Sequence, residues 1–138
     1  MTFELNKTLE ADSKFITELE LCQLRLMNNA NFPWAILVPK LNNIVEITDL
    51  SDTEYLRLNE EVRLIARALQ KEFTPDKLNI AAIGNVVSQL HVHVIARFRD
   101  DILFPKPVWG HEAILYTVEQ LENRINKIKA AIKFQFSL

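Results

Sequence analysis

SQLHVHVIARF, residues 88–98, is the most informative stretch of this sequence. The 138-residue sequence has only three histidines, and two of them, His91 and His93, lie one residue apart in an otherwise apolar run. Alternate residues of a β-strand face the same side, so the two imidazoles are predicted to share one face with Gln89. The other face is apolar at positions 90, 92, 94, 96 and 98 and is predicted to pack into the core.

The pattern on either side of this stretch predicts a single α+β domain over residues 1–138. Ser51 and Glu54 are spaced as a capping box at the start of a long helix that Pro75 ends. The expected elements are a short helix around 11–20, strands at 22–26, 34–39, 77–84 and 89–98, a long helix at 51–73 and a C-terminal helix from 117 with its own capping box. The first two strands form a predicted hairpin. This order favours a mostly antiparallel sheet.

Composition narrows the possible partners. The net charge of −2, with no Lys/Arg block, gives no electrostatic footprint for nucleic acid. Two glycines are too few for a Walker or dinucleotide phosphate loop. We expect no signal peptide, because residues 1–15 carry acidic side chains and no apolar run, and no segment is apolar enough to span a membrane. The single cysteine, Cys22, suits a reducing compartment, so a cytoplasmic protein is expected.

The paired histidines have three possible roles. They can be structural, hydrogen-bonded side chains. With His111 and a nearby carboxylate they can form a zinc site, which would make the protein a metal-dependent hydrolase. They can also act in nucleophilic catalysis, because a neutral imidazole attacks phosphorus and a second imidazole, if protonated, can donate to a phosphate oxygen.

The motif resembles the signature of the histidine-triad (HIT) nucleotide hydrolases and transferases, His-φ-His-φ-His-φ-φ, where φ is apolar. The sequence QLHVHVI, residues 89–95, matches it at every position except the first, where Gln89 stands in place of histidine. WAILVPK and the segment KLNIAAIGN are also similar to the family's strands, and the resemblance runs from about Cys22 to Gly110. The chain is identified as a member of a bacterial branch of this family with a HIT-like fold.

The resemblance implies a catalytic set of His91, His93 and Gln89. His91 would attack the α-phosphorus of a purine nucleotide derivative, such as a dinucleoside polyphosphate or a nucleoside phosphoramidate, and carry the nucleotidyl group. His93 would hold the α-phosphate, and the Gln89 amide would replace the hydrogen bonds of the missing histidine. No metal or other cofactor is needed for this chemistry, although a divalent ion can accompany a polyphosphate substrate.

The resemblance also implies five substrate-binding residues. Asn28 stands where the family holds the ribose hydroxyls, and Leu26 is a candidate for the apolar base pocket together with Met27 and Ile36, with core packing as the alternative for each. The other three candidates are Asn79 on the preceding strand, Asn85 beside Val86 (a position where the family often has a phosphate-binding Ser) and Trp109, which either stacks on a base or anchors its loop.

Two further expectations follow from the same resemblance. Family members are commonly homodimers with a continuous sheet, so a homodimer is expected. Because Gln89 and Val86 both depart from the family pattern, a nucleotide-binding module without turnover is the main alternative to an enzyme.

Arg97 and Arg99, after the motif, are predicted to be solvated or to steer an anionic substrate.

Overall fold

The computed structural model describes residues 2–136. In chain order the elements are α1 (Lys7–Asp12), β1 (Ser13–Glu18), β2 (Cys22–Met27), β3 (Trp34–Pro39), a 3₁₀ turn (Ile47–Asp49), α2 (Asp52–Phe73), β4 (Lys77–Ala81), β5 (Val92–Arg97) and α3 (Val118–Phe136). None of the helices in this part of the chain is long and apolar enough to cross a membrane. The cytoplasmic location stays a prediction.

The strands form one five-stranded sheet in the order β1-β2-β3-β5-β4, and each neighbouring pair is antiparallel. Both faces of this sheet are covered. Helices α2 and α3 cover one face and form the helix-side core, which includes Leu24, Leu26, Leu37, Leu69, Val94 and Ile128. The other face forms the histidine-side core, made of Leu9, Phe32, Trp34, Ile36, Val38, Ile95 and Val108. The α+β fold with a mostly antiparallel sheet is confirmed.

The predicted hairpin and both capping boxes are present. Strands β2 and β3 pair from Cys22 opposite Pro39 to Leu26 opposite Ala35. The Ser51 and Glu54 side chains bond each other's backbone N–H groups at 3.2 and 2.8 Å, so the amides exposed at the start of α2 are satisfied. The segment before α3 repeats this arrangement with residues 117 and 120.

The helix expected around Ala11–Glu20 is wrong. The chain has a short helix, α1, and then an edge strand, β1. A register shift between Phe15 and Thr17 interrupts the pairing of β1 with β2. Because of this bulge, the buried residues Ser13 and Ile16 are three positions apart and not two, so the strand lacks its usual alternation and resembles a helix in sequence.

Two strands are shorter than the sequence predicts. Strand β4 ends at Ala81 and β5 begins only at Val92, so residues 82–91 form a loop. Within it Gly84 has a φ of +69°, a backbone conformation that glycine adopts most readily. The backbone N–H of Leu90 bonds the carbonyl of Ile44 in another loop, at 2.9 Å, instead of extending the sheet.

Arg97, predicted to be exposed, is 1% exposed and forms part of the framework. Its Nε and Nη2 donate to Asp101 at 2.8 and 3.1 Å. The same carboxylate accepts backbone N–H bonds from Phe98, Leu103 and Phe104. This network fixes the start of the loop that leads to Trp109. Burial opposes the charge of Asp101, but the bonds from Arg97 and the three backbone amides outweigh it and lower the pKa of Asp101 to about 2.

We expect Asp101→Asn to lower the free energy of unfolding by about 3 kcal/mol at neutral pH, because the buried Arg97 loses its anionic partner. The pKa of Asp101 is lower in the folded chain than its ordinary 3.8, so its contribution is present above that pH and is lost as the pH falls towards 2. Urea unfolding at neutral pH and at about pH 3 measures this. Asp100→Asn, at the exposed neighbouring position, is the control and should change the free energy of unfolding little. An equal loss at both pH values would contradict the role assigned to this charge.

Candidate active site

His91 and His93 lie side by side on the face of the sheet opposite α2 and α3. Their ring centroids are 4.9 Å apart, and the residues are 7% and 4% exposed. The two rings lie together as predicted, although His91 immediately precedes β5 and only His93 is within the strand. Because two positive charges at this distance and burial would repel strongly, the pair is compatible with at most one protonated ring at neutral pH.

The proton position on His91 follows from its backbone partner. Its Nδ1 lies 2.7 Å from the carbonyl oxygen of Gln89. A carbonyl oxygen only accepts hydrogen bonds, so Nδ1 carries the proton and donates it. In the neutral ring the lone pair is therefore on Nε2, which makes Nε2 the nucleophilic atom.

His93 has the opposite arrangement. Its Nδ1 lies 2.9 Å from Nε1 of Trp34, and an indole N–H only donates. Nδ1 of His93 is thus the acceptor, and the proton of the neutral ring is on Nε2. Desolvation by burial, with a smaller contribution from the charge of His91, lowers the pKa of His93 to about 3. A neutral His93 therefore has an N–H on Nε2 that can donate to a ligand, so the second proton assumed from the sequence is not required.

Two tryptophans surround the pair. Trp34 is 4% exposed and contacts His93 edge to face at 5.6 Å as well as through its hydrogen bond. Trp109 contacts Trp34 and His93 edge to face at 5.7 and 5.1 Å, and is 39% exposed. Trp109 thus contacts His93, and its part in base binding stays a prediction, whereas sequence reasoning missed Trp34. The available signal was that a buried indole N–H needs an acceptor.

A cavity of about 290 Å³ lies against the two imidazoles. Four parts of the chain surround it: α1 with the start of β1, strands β2, β3 and β5, the 82–91 loop, and the loop between β5 and α3. The lining residues are Thr8, Leu9, Asp12, Ser13, Met27, Ile36, Ile83, Gly84, Asn85, Val86, Val87, His91, His93 and Trp109. Asp12 is the one acidic residue among them, and the contribution of α1 was not expected from the sequence.

Three predicted substrate-binding residues lie elsewhere. Asn28 Oδ1 accepts the backbone N–H of Tyr116 at 3.0 Å, and Asn79 Oδ1 accepts from Nη1 of Arg97 at 2.8 Å. Leu26 is fully buried in the helix-side core. None of the three lines the cavity. Successive strand residues face opposite sides, so Leu26 points away from the site while its neighbour at position 27 lines it.

Gln89 contacts His91 only through its backbone among the hydrogen bonds of residues 2–136. Its side-chain Oε1 accepts the backbone N–H of Asn6 at 2.8 Å, and its Nε2 donates to the carbonyl of Glu4 at 3.0 Å. The Gln89 amide, which was expected to replace the hydrogen bonds of the missing histidine, is therefore bonded to the N-terminal segment. Asn85 does line the cavity, next to Val86, which is 93% exposed.

The residues proposed for a zinc site do not come together. Within residues 2–136, no group of three or more His, Cys, Asp or Glu side chains is placed to hold a metal ion. His111 is exposed in the loop after Trp109 and does not line the cavity with the two other histidines.

Three crystal structures are similar to this chain over nearly its whole length. A histidine triad (HIT) protein from Sinorhizobium meliloti is 42% identical, with 94% of this chain and 97% of that chain covered and a TM-score of 0.92. A histidine triad protein from Bradyrhizobium japonicum is 38% identical, with 96% and 99% covered and a TM-score of 0.93. One from Marinobacter aquaeolei is 37% identical, with 97% and 98% covered and a TM-score of 0.93.

The family model described as the HIT domain matches residues 8–100, which include α1 apart from Lys7, the whole sheet and both site histidines. No curated protein matches the chain. Fold, sequence identity and the paired imidazoles therefore agree, and the chain belongs to the histidine-triad (HIT) family.

Proposed function

We propose that this protein is a nucleotide hydrolase or nucleotidyl transferase. Its substrate is a purine nucleotide derivative, either a dinucleoside polyphosphate or a nucleoside phosphoramidate. His91 attacks the α-phosphorus and carries the nucleotidyl group as a covalent intermediate. His93 donates to an α-phosphate oxygen. We also propose that the chain represents a bacterial branch of the family in which Gln89 takes the place of the first histidine.

The opposite proton positions of the two imidazoles carry this proposal. His91 has its lone pair on Nε2 because the Gln89 carbonyl holds the proton on Nδ1. His93 has its proton on Nε2 because the Trp34 indole occupies Nδ1. A nucleophile beside a neutral hydrogen-bond donor matches what attack on a phosphate requires, because the donor offsets charge that develops on oxygen.

The reaction proceeds by double displacement. Nε2 of His91 uses its lone pair to form a bond to the α-phosphorus, and the bond from phosphorus to the leaving oxygen or nitrogen breaks. The leaving group departs with that electron pair and is protonated by water. A water or phosphate oxygen then attacks the same phosphorus, the P–N bond breaks, and the lone pair returns to Nε2; an attacking water gives up its proton to the solvent, which balances the proton that the leaving group took.

The cavity accounts for one nucleoside portion of the substrate. Its volume of about 290 Å³ is at the low end of small-molecule sites, which span roughly 300–1,000 Å³. Met27 and Ile36 offer an apolar wall for a base, Asn85 adds a polar side chain to the lining, and Trp109 contacts His93. The remainder of a larger substrate then extends into solvent.

A nucleotide-binding module without turnover is the second candidate. Two observations favour it: the Gln89 amide is engaged with the N-terminal segment, and Val86 supplies no polar group to a phosphate. The first experiment therefore separates binding from chemistry.

We expect His91→Asn to lower turnover by roughly 10³-fold or more and to leave nucleotide binding intact, because only the nucleophile is lost. The protein is mixed briefly with an adenosine phosphoramidate or a diadenosine polyphosphate and denatured without acid, which would cleave the P–N bond. Mass spectrometry should then show one added AMP unit in the wild type and none in the variant.

His111→Ala is the matched control, and it should keep both the adduct and turnover. Neither adduct nor AMP release in the wild type, with nucleotide still bound, would establish the binding module instead. A loss in His111→Ala as large as in His91→Asn, together with inhibition by a chelator, would point to the metal-dependent hydrolase.

In Trp34→Phe the proton of the neutral His93 ring can occupy either nitrogen, because the indole donor to Nδ1 is lost. We expect kcat to fall roughly 5- to 10-fold, the effect of one lost hydrogen bond. In the wild type, ¹⁵N NMR should show His93 neutral and protonated on Nε2 throughout the pH range of activity, since its pKa is about 3. Trp109→Phe is the control for the His93 spectrum, because within residues 2–136 Trp109 meets His93 ring to ring and shares no hydrogen bond with it. An unchanged His93 spectrum and kcat in Trp34→Phe would refute this assignment.

We further propose that residues 1–138 form a single domain and that two copies form a homodimer through the free edge of β4. Edge strands carry unpaired backbone groups that can bind a second strand, and Ile80 on β4 is 51% exposed. Sedimentation velocity should give twice the mass of one chain, and Ile80→Lys should shift the protein towards monomer. A wild-type monomer at all concentrations would contradict the dimer.

A further inference from the structure

The N-terminal segment, residues 2–6, is held by two side-chain amides. Asn42 donates to the carbonyl of Thr2 at 2.8 Å and accepts the N–H of Glu4 at 3.1 Å. Gln89 donates to the carbonyl of Glu4 at 3.0 Å and accepts the N–H of Asn6 at 2.8 Å. Each amide thus pairs with one carbonyl and one N–H, as a neighbouring strand would, so the attachment depends on the backbone of the segment.

This attachment determines where α1 begins. The backbone of Asn6 is bound to Gln89, and its side-chain Oδ1 caps α1 by accepting the N–H groups of Thr8 and Leu9 at 2.8 and 3.4 Å. Without the bond to Gln89, Asn6 would lose the contact that links the cap to the loop before the histidines.

Helix α1 in turn is a wall of the cavity. Leu9 is 4% exposed and packs in the histidine-side core, while Thr8 and Asp12 present polar side chains to the cavity. The position of α1 therefore sets both the width of the cavity and the placing of its one acidic lining residue.

Gln89 also contacts the proposed nucleophile. Its carbonyl oxygen accepts the Nδ1 proton of His91, and its side chain holds Asn6. The two contacts use different parts of the residue. A side-chain substitution therefore removes the two bonds from Gln89 to residues 4 and 6, keeps those from Asn42, and leaves the hydrogen bond to the imidazole in place.

We propose that the Gln89 side chain is a positioning residue that fixes the N-terminal segment and α1 as a substrate-binding wall, and that it takes no part in the transfer step. The inference rests on the proposed function for its substrate class. Thr8 and Asp12 form the part of this wall that meets the polar portion of the nucleotide.

The test compares Gln89→Ala with the wild type in three measurements: hydrogen exchange of residues 2–12, AMP affinity by calorimetry, and KM and kcat with an adenosine phosphoramidate. We expect faster exchange in residues 2–12, with AMP affinity reduced and KM raised roughly 10-fold, as for two lost hydrogen bonds. We expect kcat to stay within about twofold, and ¹⁵N NMR should still show His91 protonated on Nδ1, since the carbonyl remains.

Asn42→Ala is the matched variant, because it removes the other amide and leaves the bond between Gln89 and Asn6. It should speed exchange at residues 2–5 with a smaller effect on AMP affinity. A fall in kcat for Gln89→Ala, with exchange and AMP affinity unchanged, would overturn the proposal and give Gln89 a direct catalytic role. Faster exchange without any change in AMP affinity or KM would also overturn it.

The two proposals fail in different ways. A wild type that binds AMP without releasing it from any substrate contradicts the proposed function, while a weaker affinity in Gln89→Ala would still support the positioning role. A wild type that turns over normally, with Gln89→Ala altering only kcat, supports the function and contradicts the positioning role.

Discussion

The close approach of two buried imidazoles is the constraint on which the site depends. Their ring centroids are 4.9 Å apart, and each residue is more than nine-tenths buried. Both cannot be charged, and two neutral rings without fixed protons would form a mixture of four tautomeric pairs. The protein selects one pair by giving each Nδ1 a partner of a different kind, a carbonyl for His91 and an indole N–H for His93. A free lone pair and a free N–H are left on the two Nε2 atoms.

The sheet supplies this arrangement through the pairing of β3 with β5. Trp34 lies opposite Ile95 and Ile36 lies opposite His93, so the indole is diagonal to the imidazole and reaches its Nδ1. The apolar residues around them form the histidine-side core and exclude water. This burial keeps His93 neutral, because a charged ring there would be desolvated.

The two ends of the motif have parallel roles. Gln89, before the histidines, holds the N-terminal segment and through it α1. Arg97, after them, holds Asp101 and the turn that leads to Trp109. Two walls of the cavity are thus attached to residues that flank the histidines in sequence, so the walls and the proposed nucleophile depend on one continuous segment, the end of the 82–91 loop and β5.

Four features could be predicted from the sequence: the fold class, the hairpin, the long helix with its cap and the proximity of the two histidines. Each of them rests on local periodicity or on the spacing of neighbouring residues. The proton position on His93 required the folded structure, because its hydrogen-bond partner Trp34 is 59 residues away in the sequence. The folded structure also decided the engagement of Gln89 with residues 4 and 6, the burial of Arg97 and the place of α1 in the cavity wall. A bulge concealed β1, and Asn28 and Asn79 have partners 88 and 18 residues away. Contacts between distant parts of the chain leave no periodic signal, so these features required the folded molecule.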